Sequence, residues 1–149
     1  IVIVSSESHK IGNINKENLN SEKYFSGTWT SSANSKLCNI LFMRELSKKL
    51  EGTDVECNAC CPGAVQTEVT RNLGSIVKYI MTPLMKLFYT TPEMGAQTII
   101  FLAVEPTIAN ESGNFYVKCL KKEPSNNSKD HEMGKWLWEQ SLKLTGLNN

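Results

Sequence analysis

The sequence of 149 residues predicts an α/β fold, specifically a doubly wound parallel sheet. Two observations predict this class. The run IVIV at residues 1–4 is apolar and β-branched throughout, which is typical of a strand buried on both faces. Predicted strands and helices then alternate three times, and this order implies parallel strands joined by crossover helices. Three strands make an incomplete sheet, and we expect the partner strands to precede Ile1.

The first half of the chain is predicted to hold two strands and one long helix. The strand over residues 1–4 is followed at 10–30 by a polar, turn-rich stretch that indicates a loop. An amphipathic helix is predicted from about Ser32 to Leu50, and Gly52 stands where that helix would stop. The apolar face of the helix carries Leu37, Ile40, Leu41, Leu46 and Leu50. The next strand is predicted over DVECNACC, residues 54–61.

The second half is predicted to hold two helices, one strand and one exposed loop. A helix begins at Thr91-Pro92-Glu93, with threonine as N-cap and proline in the first turn, and ends before Pro106. Its apolar side carries Ala96, Ile99, Ile100 and Ala103. A strand is predicted over residues 112–120, a surface loop over about 120–131, and a terminal amphipathic helix over about 132–145. Residues 1–149 are interpreted as a single, partial domain.

Composition and charge argue against several classes of function. The formal net charge of +1 gives no case for a nucleic acid partner. Five cysteines are an odd number, which favours a reducing, intracellular compartment over a secreted disulfide framework. Cys57 and Cys60 have a C-x-x-C spacing, but residues three apart on a strand point to opposite faces, so no metal site is expected. His9 and His131 lack an acidic partner at an interpretable spacing, which argues against a Ser-His-Asp hydrolase.

The sequence leaves membrane association open. The longest uninterrupted apolar run after the first strand, IIFLAV at 99–104, is too short to cross a bilayer. The apolar segment at 76–89 is interrupted by Lys78, Pro83 and Lys86 and fits either a core helix or a helix on a membrane surface. An endoplasmic reticulum membrane location and a cytoplasmic one are therefore both compatible with the sequence.

Five segments occur in an order that resembles a known enzyme family. They are IVIVSSESHKIGNIN, SKLCNILFMRELSKKLEGTDVECNACCPGAVQTEVTR, TPEMGAQTIIFLAVEP, SGNFYVKC and KWLWEQSLKLTGL. Together they resemble the carboxyl-terminal half of the short-chain dehydrogenase/reductase superfamily, in its retinol dehydrogenase-like branch. The resemblance implies the C-terminal part of a Rossmann-like sheet. It also implies hydride transfer between NADP or NAD and a lipophilic alcohol or aldehyde such as a retinoid.

The resemblance further implies roles for individual residues. Ser6, which closes V-S-S, would hydrogen-bond the substrate oxygen. Lys36 would hold the nicotinamide ribose hydroxyls and lower the pKa of the catalytic acid. The cofactor-binding residues would be Lys36, Pro62, Gly63, Val65 and Thr67. Residues from about Glu68 to Tyr89 would close over the substrate. Taken singly, Ser6 would be read as a strand cap, Lys36 as a surface charge and Pro62-Gly63 as a turn.

The chain departs from the family pattern at the catalytic acid. The family places a tyrosine four residues before the lysine, and this chain has Ser32 at that position. A shift of one residue offers Ser31 or Ala33 instead, and Tyr24 is too distant in sequence to be a substitute. The glycine-rich phosphate turn and the N-N-A-G segment of the family do not occur in the sequence either, and we expect them upstream of Ile1.

A serine at position 32 cannot do the work of a tyrosine. A phenol has a pKa of about 10, which a nearby ammonium lowers, whereas an aliphatic hydroxyl starts several units higher and is shorter by a ring. Loss of a positioned acid costs on the order of a hundred- to ten-thousand-fold in rate. The sequence therefore predicts a dehydrogenase-derived chain that is inactive or strongly impaired. The alternative is a non-catalytic derivative that acts through protein contacts, including self-association through exposed helix faces such as that of residues 32–50.

Overall fold

A computed structural model describes residues 1–65 and 90–147. Four strands form one sheet in the order β1-β2-β3-β4, with β1 at Val2–Val4, β2 at Asn58–Cys61, β3 at Phe115–Val117 and β4 at Leu120–Lys122. The first three strands are parallel, and β4 is antiparallel to β3. The helices of these ranges are α1 at Thr28–Lys49, α2 at Pro92–Val104 and α3 at His131–Thr145. The predicted α/β class with a mostly parallel sheet is confirmed.

Helices cover both faces of the sheet. Side chains alternate between the faces along a strand, so Phe115 and Tyr116 point in opposite directions. Phe115 belongs to the buried cluster that includes Ile40 of α1, whereas the ring of Tyr116 lies 6.1 Å from that of Phe101 on α2. Helix α1 therefore packs on one face and α2 on the other, which is the arrangement of a doubly wound sheet.

Helix α1 is the central element of the fold. Its predicted apolar residues Leu37, Ile40 and Leu41 are buried, as are Ala33 and Met43. Ile40 and Met43 contact the sheet, and Leu37 and Leu41 pack against Leu137 of α3 and Ile14. The helix begins at Thr28, four residues before the predicted start. The sequence did not reveal this start, because Gly27 precedes it and offers no side-chain cap.

The predicted apolar side of α2 is wrong. The buried residues of α2 are Gly95 and Thr98, while Ile100 is 50% exposed. The helix lies close to Val65 on this side, so that a Cβ atom at Gly95 would overlap the side chain of Val65. Thr98 accepts a hydrogen bond from the backbone N–H of Cys119 at 3.3 Å. The packed face of α2 therefore combines the small Gly95 and the polar Thr98 with Phe101, whose ring lies against Tyr116.

The single strand predicted at 112–120 is a hairpin. Lys118 and Cys119 have φ values of 52° and 60°, and they form a two-residue connection between β3 and β4. The predicted surface loop at about 120–131 accordingly begins with β4 and continues through a 3-10 turn at Asn126–Lys129. The terminal helix lies within one residue of the predicted range. Among the described residues, no helix is both long and apolar enough to cross a membrane.

Candidate functional site at the carboxyl ends of the strands

The candidate site lies where β1 and β2 end side by side. Val4 pairs with Cys60 in parallel register, and the N–H of Ser5 donates to the carbonyl of Cys60 at 2.7 Å. Ser5-Ser6 therefore leaves β1 next to the point where Pro62-Gly63 leaves β2. Ligands of open α/β sheets bind outside the carboxyl ends of the strands, so the two segments implied by the resemblance share the edge where a ligand is expected.

Two hydrogen bonds hold helix α1 over this edge. The hydroxyl of Ser5, which is 2% exposed, donates to the carbonyl of Lys36 at 2.8 Å. One helical turn further, the Nδ2 of Asn39 donates to the carbonyl of Val4 at 3.0 Å. Lys36 is consequently level with the end of β1. Neither Ser5 nor Asn39 was predicted as a site residue, because their partners are remote in sequence.

The face of α1 that covers the sheet continues beyond the strand ends. Residues three, four and seven apart share a helix face, so Ser32 and Lys36 lie on the side of α1 that carries the buried Ile40 and Met43. Ile40 and Met43 contact the sheet, whereas Lys36 is half-buried and Ser32 is exposed. The structure thus places Lys36 and Ser32 above the carboxyl edge, on the same side of the helix.

Ser6 is the N-cap of a 3-10 turn at Glu7–Ile11. Its Oγ accepts a hydrogen bond from the N–H of Ser8 at 3.2 Å. This is the capping role that the residue would have in the absence of any catalytic function. The hydroxyl proton is not used in this bond, because the oxygen is the acceptor, so Ser6 can still donate to a ligand oxygen.

A buried histidine supports the loop that carries Ser6. His9 is 0% exposed, its Nδ1 lies 2.7 Å from the carbonyl oxygen of Ser6, and its Nε2 accepts from the N–H of Ser125 at 3.0 Å. A carbonyl can only accept, so the ring carries its proton on Nδ1 and is neutral in this arrangement. His9 therefore fastens the Ser6 loop to the segment that precedes α3, a role that the sequence did not reveal.

The structure describes some of the residues predicted to bind the cofactor. Gly63 has a φ of 83°, and its N–H lies 3.3 Å from the Sγ of Cys61. A Cβ atom built on Gly63 would meet no atom of residues 1–65 or 90–147 within 4 Å. Val65 forms a parallel bridge with Thr90. Thr67 and the segment from Glu68 to Tyr89 lie outside the described residues.

The other candidates for the missing acid lie elsewhere. Ser31 and Tyr24 line a cavity of about 490 Å³ whose wall also includes Asn34 and Cys38 of α1. Positions 31, 34 and 38 lie on the side of the helix opposite Lys36, given 100° per residue. The phenol of Tyr24 accepts from the Nδ2 of Asn15 at 3.0 Å. Ala33, the remaining candidate, is fully buried. Ser32 is thus the residue of this set on the face of Lys36.

The cysteines of β2 are structural. Cys57 and Cys61 belong to the cluster between the sheet and α1, and Cys60 faces the opposite side, as the strand spacing predicted. Burial raises the pKa of the Cys60 thiol to about 11, with a smaller contribution from neighbouring Cys61, and burial also raises that of Cys57. Thiols of this kind are poor nucleophiles. Within residues 1–65 and 90–147 there is no group of three or more His, Cys, Asp or Glu side chains arranged to hold a metal ion.

Comparison with known proteins identifies relatives of the whole chain. The chain is 39% identical to human retinol dehydrogenase 14, 34% identical to mouse retinol dehydrogenase 13 and 36% identical to bovine dehydrogenase/reductase SDR family member 13. Each alignment covers 99% of this chain. The chain belongs to the short-chain dehydrogenase/reductase superfamily. No family model matches the sequence.

The relatives of this dehydrogenase/reductase chain are longer than the chain itself. It spans 44% of human retinol dehydrogenase 14, 45% of the mouse protein and 40% of the bovine one. The crystal structure of an uncharacterised protein from Mycobacterium paratuberculosis has a similar fold, with a TM-score of 0.71 and 27% identity. That similarity covers 97% of this chain and 49% of the other. The chain therefore spans about half the length of the proteins it matches.

Proposed function

We propose that this chain carries the substrate side of an NAD(P)-dependent oxidoreductase that acts on a lipophilic alcohol or aldehyde such as a retinoid. In this proposal Ser6 donates its hydroxyl proton to the substrate oxygen, and Lys36 holds the ribose of the nucleotide. The observation that carries the proposal is the placement of Ser32 and Lys36 above the edge where Ser6 and Gly63 leave adjacent strands. The names of the relatives support the substrate class.

The residues at this edge fit one side of a nicotinamide nucleotide. Lys36 offers an ammonium for hydroxyl groups, and within the described part of the chain no atom crowds the backbone of Gly63. When bound, the nucleotide would supply or accept the hydride. Pro62, Val65 and Thr67 complete the proposed binding side for NADP or NAD.

The same proposal assigns this chain a strongly reduced rate. Ser32 replaces the phenol that would exchange a proton with the substrate oxygen. The serine side chain is too short to reach that oxygen, and its hydroxyl is too weakly acidic for the exchange. Ser31 and Tyr24 line a cavity on the other side of α1, so neither offers a substitute. We expect the reaction rate to be lower than that of a tyrosine-bearing site by on the order of a hundred- to ten-thousand-fold.

The test restores the phenol. Mapping the transcript upstream of Ile1 defines the longest natural form, and that form is assayed for retinal-dependent oxidation of NADPH and NADH as wild type, Ser32→Tyr, Ser32→Phe and Ser32→Tyr with Lys36→Ala. We expect Ser32→Tyr to raise the rate by about a hundred-fold or more. Phenylalanine, which has the ring without the hydroxyl, should give no gain, and loss of the lysine should remove the gain.

Two results would contradict the proposal in different ways. If Ser32→Tyr is folded and binds nucleotide but gains no activity, the account of Ser32 as the missing acid is wrong. If the longest natural form binds neither NADPH nor NADH, the chain is not an oxidoreductase, and the non-catalytic alternative is favoured.

The non-catalytic alternative needs a different surface from the one that the sequence indicated. The apolar residues Leu37, Ile40 and Leu41 of α1 are at most 2% exposed, because the sheet, α3 and Ile14 cover them. The apolar face of residues 32–50 is therefore not available for self-association. What favours a non-catalytic role is the replacement at Ser32 alone.

A further inference from the structure

A large aromatic side chain is exposed on the helix face that carries the proposed site. Trp29, in the first turn of α1, is 84% exposed. It lies three residues before Ser32 and seven before Lys36, so the three side chains form one stripe along the helix. Tryptophan is buried on average in folded proteins, so an indole that is 84% exposed on this helix face requires an explanation.

The position of Trp29 follows from the anchoring of α1. The hydrogen bond from Ser5 fixes Lys36 level with the end of β1. Seven residues of α-helix rise about 10 Å, so the backbone of Trp29 stands about that far beyond the edge of the sheet. Side chains on a helix lean toward its amino terminus, which carries the indole further outward. Trp29 therefore stands beyond the carboxyl edge of the sheet, on the helix face that carries Ser32 and Lys36.

A second exposed apolar residue lies in the loop that follows Ser6. Ile11 is 76% exposed and ends the 3-10 turn that Ser6 begins. The next residue, Gly12, lies directly against α1, because a Cβ atom there would be 2.8 Å from the carbonyl oxygen of Ala33 and from the Cβ of Leu37. The loop thus meets α1 one turn after Trp29, and both apolar side chains flank the same end of the helix.

We infer that Trp29, assisted by Ile11, contacts the apolar chain of the substrate and so selects lipophilic over small polar alcohols and aldehydes. This inference rests on the proposed function. A substrate whose oxygen reaches Ser6 must extend its remaining atoms away from the sheet edge, and the Trp29 stripe lies along that direction. Neither Trp29 nor Ile11 carries charge, and together they offer an apolar surface that a polyene or alkyl chain can cover.

The test measures the binding of all-trans-retinol through the increase of its own fluorescence. The full chain is compared with Trp29→Ala, Ile11→Ser and the control Leu144→Ala, which removes a residue of similar exposure, 61%, from the end of α3. Burial of part of an indole surface corresponds to about ten-fold in affinity. We expect Trp29→Ala to raise the dissociation constant about ten-fold, Ile11→Ser to raise it less, and Leu144→Ala to leave it unchanged. Far-ultraviolet circular dichroism verifies that each variant is folded.

The possible outcomes separate this inference from the proposed function. If retinol binds to the wild type and to Trp29→Ala with equal affinity, the inference fails while the proposed function stands. If retinol does not bind to the wild type, both the inference and the proposed substrate class fail. If phosphatidylcholine vesicles alone shift the tryptophan emission of the wild type to the blue but not that of Trp29→Ala, and the retinol affinity is the same in both, Trp29 contacts a lipid surface and the inference is wrong.

Discussion

Ser5 positions helix α1 through one buried hydroxyl. It is 2% exposed and donates to the carbonyl of Lys36, so it sets the height of α1 relative to the end of β1. Its neighbour Ser6 caps the following 3-10 turn. Two adjacent serines thus have different structural roles: Ser5 anchors the helix, and Ser6, the residue proposed to donate to the substrate oxygen, caps the loop.

Ser5→Ala should destabilise the fold modestly. Loss of one neutral hydrogen bond at a buried site costs on the order of 1 kcal/mol of unfolding free energy. The control is Ser35→Ala, because the exposed Ser35 hydroxyl donates to the carbonyl of Ser32 within the same helix. Urea denaturation of the three proteins measures the effect. Equal stability of Ser5→Ala and the control would show that the Ser5 bond does not anchor α1.

Whether the sequence could predict a residue of the proposed site depended on how far away in sequence its bonding partner lies. Ser6, Ser32 and Lys36 were predicted as site residues from a local resemblance to the family pattern, from which Ser32 departs. Ser5, His9 and Asn39 were missed, because each bonds a residue at least 31 positions away or, for His9, joins segments 116 positions apart. Long-range hydrogen bonds depend on the packed fold, and no local pattern predicts them.

At the scale of elements, the loop after β1 depends on close contact with α1. Gly12 has no room for a side chain, since a Cβ atom would be 2.8 Å from the backbone oxygen of Ala33. Gly134 of α3 has a similar neighbour distance, 3.1 Å, but the neighbour is a side-chain oxygen of Glu45 rather than a backbone atom. Backbone cannot move aside as a side chain can, so the two glycines differ in what they tolerate.

Gly12→Ala should therefore destabilise the protein by about 1–3 kcal/mol, the usual cost of overpacking. Gly134→Ala is the matched control. Alanine is favoured over glycine in a helix by about 1 kcal/mol, which offsets the small shift required of Glu45. Thermal unfolding of the two variants tests the difference. A Gly12→Ala protein as stable as the wild type would mean that the Ser6 loop is free to move away from α1.

Element boundaries followed local chemistry where the chemistry was visible. The N-cap of α2 was predicted from the sequence Thr91-Pro92-Glu93. The structure confirms it, because the Oγ1 of Thr91 accepts a hydrogen bond from the N–H of Met94. The start of α1 was missed because Gly27 offers no side-chain cap. The β3–β4 hairpin was missed because its central pair, Lys118-Cys119, adopts positive φ values without the Asn-Gly or Asp-Gly that usually signals such a turn.

At the scale of the whole molecule, a polar cluster around Glu111 joins three strands. The backbone carbonyl of Glu111 accepts from the Nδ2 of Asn58 in β2 at 2.7 Å. Its carboxylate accepts from the phenol of Tyr116 in β3 at 2.7 Å and from the ammonium of Lys121 in β4 at 3.3 Å. The bond from Tyr116, followed by that from Lys121, lowers the pKa of the Glu111 carboxyl. This cluster lies apart from the proposed site and serves the stability of the sheet.

Burial of Tyr116, together with its bond to Glu111, raises the pKa of the phenol from 10.0 to about 12. A raised pKa in the folded state stabilises the protein below the unfolded value and loses that contribution as pH rises through the folded value. The difference in unfolding free energy between wild type and Tyr116→Phe should therefore be constant from neutral pH to pH 10, where the Glu111 carboxylate stays ionised, and shrink between pH 10 and about 12.

Urea denaturation at several pH values checks this dependence, with an initial difference on the order of 1–3 kcal/mol for a bond to a carboxylate. Glu111→Gln is the control, because it removes the charge and keeps an acceptor for the phenol. In that background the pKa of Tyr116 should fall only part of the way, since burial is the larger cause. A wild-type advantage over Tyr116→Phe that stays constant up to pH 12 would mean that the phenol ionises equally readily in the folded and unfolded chains, and that the sheet does not depend on its proton.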